Sequence, residues 1–237
     1  MSVFTDLYEA HLTIGGHDIT YREIGGNAFG LASAVGGMRR KVWAWPVGII
    51  GNVLLFTVFL FTATEADHGG SPLLGQAGRQ VFFIVVSIYG WWRWAQNEKS
   101  GDGAPAVVPR WATARERGAY LTVGLAGVAV CYVAFRAIGA GFPADWWFYL
   151  CDAWIFVGSI VATYAMARGW VDFWLCWIAV DLVGVPLLLH AHFYPSAVLY
   201  GVYGVFVIWG FVTWLRIART TVEPIGGAAP RPDEVPA

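Results

Sequence analysis

Charged side chains are scarce in this chain. Asp, Glu, Lys and Arg make up 13% of its 237 residues, and lysine occurs only at Lys41 and Lys99. The formal net charge is −1 and the basic residues are spread over short segments, so no patch would attract nucleic acid. A retinal-type seven-helix receptor, which needs a lysine in its last span, is excluded by the two lysine positions. Cysteine is nearly absent as well: Cys131, Cys151 and Cys176 have no CxxC spacing and lie in or beside apolar runs. They read as small buried hydrophobes, and neither a disulfide nor a metal site is expected. His190 and His192 are two apart and diverge at a helix end with no acid at ligand spacing, which is not an HExxH centre. A GxSxG elbow, a P-loop and a carboxylate pair are missing too. No catalytic residue and no cofactor is therefore expected, the chain does not read as an enzyme, and an ATP-driven pump would lack its motor. The N-terminal residues show no basic stretch followed by an apolar one, so no cleaved signal peptide is expected.

What fills the chain is apolar. It is 57% hydrophobic with 14 Trp and a mean hydropathy of +0.56, the composition of an integral membrane protein. A spanning helix needs about 20 mostly apolar residues. Runs of that kind predict seven transmembrane helices, near 21–37, 43–62, 78–95, 119–137, 147–167, 173–189 and 195–216. All basic residues except Arg22, Arg79 and Arg136 fall in alternate connections or after the last span. The excess of Lys and Arg marks the cytoplasmic side, so the N-terminus is expected outside and the C-terminus inside. Residues 96–115 read as a polar inner loop and 222–237 as a disordered cytoplasmic tail.

A repeat runs through the spans. Gln80, Phe83, Gly90 and Trp94 in the third recur with the same intervals as Tyr200, Tyr203, Gly210 and Trp214 in the seventh, and each set covers an arc of about 80° on a helical wheel. Glu23 in span one and Asp152 in span five stand at similar outer-end positions. These matches predict two three-helix units, spans one to three and five to seven. A single connecting helix between them makes the repeats parallel, an arrangement that holds a site at the repeat interface in transporters.

Polar groups at depth mark the candidate site. Trp174, Trp177 and Asp181 step by three and four residues and share one 60° face of span six. A mid-span Asp costs about 2.5–3.5 kcal/mol on insertion, and such residues face the bundle interior or a wet cavity. Asn52, Gln80, Tyr200 and Tyr203 lie at comparable depth, as do Ser159 and Thr163. With the indoles they could hold a flat, hydrogen-bonding solute, although each alone is also a plausible tether between helices. Asp181 is the one candidate for proton coupling, without an acid or histidine partner. Pro186 and Gly184 predict a kink. Trp91, Trp92, Trp94, Trp146, Trp147 and Trp214 sit at span ends and are expected in the interfacial aromatic belt.

The segment YGWWRW closing span three, the series Trp174-x-x-Trp177-x-x-x-Asp181, and YPSAVLYGVYG leading into GFVTW resemble the PnuC family of bacterial vitamin transporters over about residues 20–218. The resemblance implies an all-α membrane fold of SWEET-like 3+1+3 form: repeat one near 20–95, a linker helix near 119–137 and repeat two near 147–218, within one domain of residues 1–221. It implies facilitated diffusion of nicotinamide riboside, thiamine or riboflavin across the cell membrane, trapping by a cytoplasmic kinase, and a homotrimer. By position, Trp174, Trp177 and Asp181 match the family signature, Gln80 a polar site on span three, and Tyr200 and Tyr203 the span-seven aromatics. The wording WAWPVGIIGN, DAWIFVGSIVATYAMARGW and VDLVGVPLLL is most similar to the actinobacterial riboflavin branch. Riboflavin is therefore the leading expectation and nicotinamide riboside the alternative. A membrane scaffold or an enzyme of another class stands well behind them.

Overall fold

The computed structural model describes residues 11–14, 17–62, 74–100, 105–138, 146–190 and 194–222; apart from Val222, the expected tail lies outside them. Among the described residues, seven helices form where the apolar runs predict them: α1 (Tyr21–Met38), α2 (Ala44–Thr62), α3 (Leu74–Ser100), α4 (Ala114–Ile138), α5 (Trp146–Ala167), α6 (Asp172–His190) and α7 (Tyr194–Val222). At 1.5 Å per residue they are roughly 27 to 44 Å long. By length and composition alone, Ala114–Ala137, Trp146–Ala167 and Tyr200–Thr220 are apolar enough to cross a membrane, and Ala44–Phe59 is a shorter apolar helix. The other helices carry polar groups within their runs, such as Asn27 in α1, Arg79 and Gln80 in α3 and Asp181 in α6. Large apolar side chains point outward, among them Leu182 at 71%, Val205 at 71% and Val123 at 68% exposure. Such a surface suits hydrocarbon rather than water.

Helix is not the whole of the described structure. β1 (His11–Ile14) and β2 (His17–Thr20) pair antiparallel, His11 opposite Thr20 and Ile14 opposite His17. Thr20 then caps α1, its Oγ1 accepting from the Glu23 N–H at 3.2 Å. α6 remains helical through Pro186.

In each half the helices pack in chain order, α1 on α2 and α2 on α3, then α5 on α6 and α6 on α7. α4 lies on α5, and the halves meet along α3 and α5 and lightly along α1 and α7. The α1–α2 turn and the α5–α6 turn have the same hydrogen bonds at a constant sequence separation. Lys41 N donates to Gly36 O at 2.9 Å and Trp170 N to Ala165 O at 3.0 Å; Arg40 N donates to Gly37 O at 3.0 Å and Gly169 N to Met166 O at 2.9 Å. Both are Schellman caps. Their left-handed residues are Arg40 (φ 58°) and Gly169 (φ 73°). Glycine adopts that conformation freely, whereas at Arg40 it costs on the order of 1 kcal/mol.

Two tryptophans bind the halves together. Trp94 Nε1 donates to the carbonyl of Ala167, the last residue of α5, at 3.2 Å, and Trp214 Nε1 donates to that of Met38, the last residue of α1, at 3.0 Å. Each satisfies a carbonyl that the end of a helix leaves without a donor. Both rings are fully buried, which corrects the expectation that Trp94 and Trp214 belong to the interfacial belt. Their height along the helix is that of a belt residue, but Gly90 and Gly210, one turn earlier, open the same face to a partner ring. Trp91, Trp92 and Trp146 are exposed, as a belt requires.

Within the predicted polar loop, residues 105–113 pack against the bundle. Ala106, Val107, Pro109 and Ala112 are buried, and Arg110 bridges Trp170, with Arg110 N to Gly169 O at 3.1 Å and Val171 N to Arg110 O at 2.8 Å. Asp172, 1% exposed, anchors it by accepting from Ala112 N at 2.8 Å, Arg117 Nε at 2.6 Å and Tyr120 Oη at 3.4 Å. Glu116 takes two further bonds from Arg110, at 2.7 and 2.8 Å. The linker helix α4 is thereby tied to the start of α6.

Candidate solute-binding cavity

A cavity of about 320 Å³ lies between the halves, at the lower end of the range for pockets that hold drug-sized ligands. Trp174, Trp177 and Asp181 line it from α6, as their common helical face requires, and Tyr200 and Tyr203 line it from α7. Asn52 joins them from α2. Gln80 does not line the cavity; it is buried at 3% exposure with its Oε1 unpaired. Thr163 lines the wall but donates its hydroxyl to Ser159 O at 2.8 Å, and Ser159 donates to Ile155 O at 2.7 Å. Their hydroxyl protons are therefore committed within α5.

The walls are mostly aromatic and apolar. Among the described residues no Lys or Arg lines the cavity, and Asp181 is its one carboxylate. Asp181 Oδ2 is buried without a hydrogen-bond partner. It faces α7 at Gly204, where a Cβ would lie 3.6 Å from that oxygen, in ordinary contact.

Four indoles close the end at which α1 and α5 finish. Trp45 meets Trp94 edge to face at 5.2 Å, Trp94 lies 6.4 Å from Trp214, and Trp214 meets Trp174 at 6.2 Å. Trp45 and Trp174 occupy matching places in α2 and α6, and the next cavity positions match as well, Gly48 with Trp177 and Asn52 with Asp181. The rings of Trp45 and Trp174 lie directly over Gly90 and Gly210, where a Cβ would run into them. The sequence reading found the α6 series because three of its members stand at helical spacing. It passed over Trp45, whose partner three residues on is a glycine; only alignment of the two halves would have found it.

An aromatic cavity with no Lys or Arg among its described lining residues, in a protein whose outer face is hydrocarbon-seeking, suits a membrane transporter. The chain belongs to the nicotinamide mononucleotide transporter family, whose model matches residues 20–216. It is 37% identical over 213 residues to the riboflavin/roseoflavin transporter RibM of Streptomyces davaonensis, covering 90% of this chain and 92% of that one. The nicotinamide riboside transporter PnuC of Escherichia coli is 24% identical over 243 residues, covering 92% and 95%. The crystal structure of the vitamin B3 transporter PnuC shares the fold, with a TM-score of 0.64 at 18% identity over 84% of this chain and 83% of that one.

Proposed function

We propose that this chain carries riboflavin across the cell membrane by facilitated diffusion and is not an enzyme. The observation that carries the reading is the meeting, in one cavity, of the α6 series Trp174, Trp177 and Asp181 with Tyr200 and Tyr203, in a chain 37% identical to a riboflavin transporter over nearly its whole length. The indoles and phenols stack a flat ring. Asp181, Asn52 and the tyrosine hydroxyls meet its edge and side-chain hydroxyls.

The seven helices all span the membrane. Residues 20–95 and 147–218 are parallel three-helix repeats joined by α4, in a SWEET-like 3+1+3 plan, and residues 1–221 are one transport domain with the tail beyond it. The matched turns and the reciprocal Trp94 and Trp214 bonds support this duplication. The charge pattern supports an outside N-terminus and a cytoplasmic C-terminus, and the resemblance supports a homotrimer. Transport is passive, and phosphorylation inside the cell traps the vitamin. A phosphate brings a charge of about −1.5 to −2 into a cavity with no lining cation, so the product cannot return.

Nicotinamide riboside, or thiamine, is the second reading, favoured by one feature: a buried carboxylate oxygen beside indole faces also suits a cation. Titrating detergent-purified protein with riboflavin separates the two readings. Saturable quenching of flavin fluorescence at nanomolar to micromolar concentration supports riboflavin; no quenching, with tight nicotinamide riboside binding, replaces it. Vesicles bearing the protein that admit no labelled vitamin would return the chain to a scaffold or an enzyme.

A further inference from the structure

Three buried indole nitrogens in the described structure have no hydrogen-bond partner: Nε1 of Trp45, Trp170 and Trp174. Trp170 lies away from the cavity, with Arg110 and Arg168 over its ring at 5.8 and 5.3 Å. Trp45 and Trp174 both line the cavity, and each is 3% exposed. The contrast with their neighbours is informative. Trp94 and Trp214, in the same cluster, both spend their N–H on a main-chain carbonyl. Buried donors are almost always paired, yet two unpaired ones stand at matching places in the two halves, on side chains that line one cavity, where a small turn of either indole would bring its N–H to an acceptor.

Resting on the transport reading above, we infer that Trp45 is a ligand-contacting, specificity-determining residue. Trp45 and Trp174 together offer one N–H donor from each half to two acceptor atoms of a flat, neutral, carbonyl-bearing ring such as an isoalloxazine. Three features of the site fit that role. The rings are held rigidly, each over a glycine of its own half, Gly90 or Gly210, and each edge-on to a second indole. The donors come from opposite halves, so a ligand that engages both bridges the seam. The position after Trp45 on the same face is Gly48 where α6 has Trp177; the first half therefore contributes an N–H donor without a second indole, while the second half supplies the stacking surface. A cationic ring with fewer acceptors leaves at least one of these donors unpaired, and the site discriminates against it for that reason.

The test is riboflavin fluorescence quenching on the purified full chain. Trp45→Phe and Trp174→Phe keep an aromatic ring over the glycine and remove only the donor; each is expected to weaken binding about 5- to 10-fold, the loss of one buried neutral hydrogen bond. Trp170→Phe removes the third unpaired donor and is expected to bind as the unmodified protein does. Gly90→Ala, which displaces the Trp45 ring, is expected to weaken binding at least as much as Trp45→Phe, and it serves if that variant does not fold. Unmodified protein that binds riboflavin, with Trp45→Phe or Gly90→Ala binding equally well, overturns this inference alone. Equal weakening by Trp170→Phe overturns it too, since the effect would then be one of general packing. Unmodified protein that does not bind riboflavin overturns the transport reading and this inference together.

Discussion

Replacing Asp181 by leucine should move stability and function in opposite directions. Its Oδ2 is buried with no partner. An unpaired buried polar group costs about 1–3 kcal/mol, more when charged, and a mid-span Asp costs about 2.5–3.5 kcal/mol on insertion. Asp181→Leu keeps the branched shape, with larger methyls that point toward the space beside Gly204 and the cavity, and removes that cost, so the ligand-free variant is expected to be more stable by about 1–3 kcal/mol. Binding goes the other way. A hydrogen bond to a charged acceptor is worth about 1.5–3 kcal/mol, and every 1.4 kcal/mol is tenfold in affinity, so riboflavin should bind about 10- to 100-fold more weakly and uptake should fall to background. Asp181→Asn, which copies the residue at the matching place in α2, should lose about tenfold, because it keeps the hydrogen bond and loses the charge. Thermal unfolding of the detergent-solubilised protein reads the first effect; flavin quenching and uptake into vesicles read the second. A leucine variant that binds and carries riboflavin normally puts the site elsewhere. One that is less stable than the unmodified protein shows that the carboxylate holds the bundle together, and the reasoning fails.

Other outcomes follow from the same geometry. Trp177→Ala removes a stacking surface worth about 1–3 kcal/mol; it should weaken binding about 10- to 100-fold and abolish uptake while the protein still folds and inserts, as size exclusion in detergent would report. Trp214→Phe leaves the Met38 carbonyl without its donor and should cost about 1–3 kcal/mol of stability, seen as a lower unfolding temperature, with a matching loss in Trp94→Phe. Asp172→Ala strips three donors of their acceptor. Breaking a buried pair costs about 3–5 kcal/mol, but Arg117 is 43% exposed and water takes up its charge, so about 2–3 kcal/mol is expected, with protease sensitivity appearing at residues 105–113. Flavin mononucleotide should compete with riboflavin at least 100-fold more weakly, since the cavity offers no cation to its phosphate; equal competition would show a phosphate-binding group outside the described lining.

The sequence by itself determined what depends on local composition and helical spacing. Each of the seven apolar runs is a helix among the described residues, the form in which an apolar segment satisfies its own backbone bonds. The face shared by Trp174, Trp177 and Asp181 was settled by the 3.6-residue turn alone. The equal intervals from Gln80 to Trp94 and from Tyr200 to Trp214 already carried the likeness of α3 and α7. What the sequence could not carry was the neighbour across the seam. Trp94 and Trp214 stand at the height of an aromatic belt, and only the packing of one half against the other makes them buried donors to Ala167 and Met38 respectively. Gln80 and Tyr200 hold the same place in their helices, yet only Tyr200 lines the cavity, because the two halves are alike without being identical. Trp45, with Gly48 three residues on where Trp174 has a second indole, is matched to Trp174 only by the like turns before α2 and α6. Nothing in the spacing around Asp172 marks it as an anchor; it becomes one because Ala112, Arg117 and Tyr120, more than fifty residues away in the chain, surround it in the fold. Spacing along one helix fixes which side chains share a face; which face meets a cavity, another indole or lipid is decided by contacts between residues far apart in the chain, and those exist only once the bundle has closed.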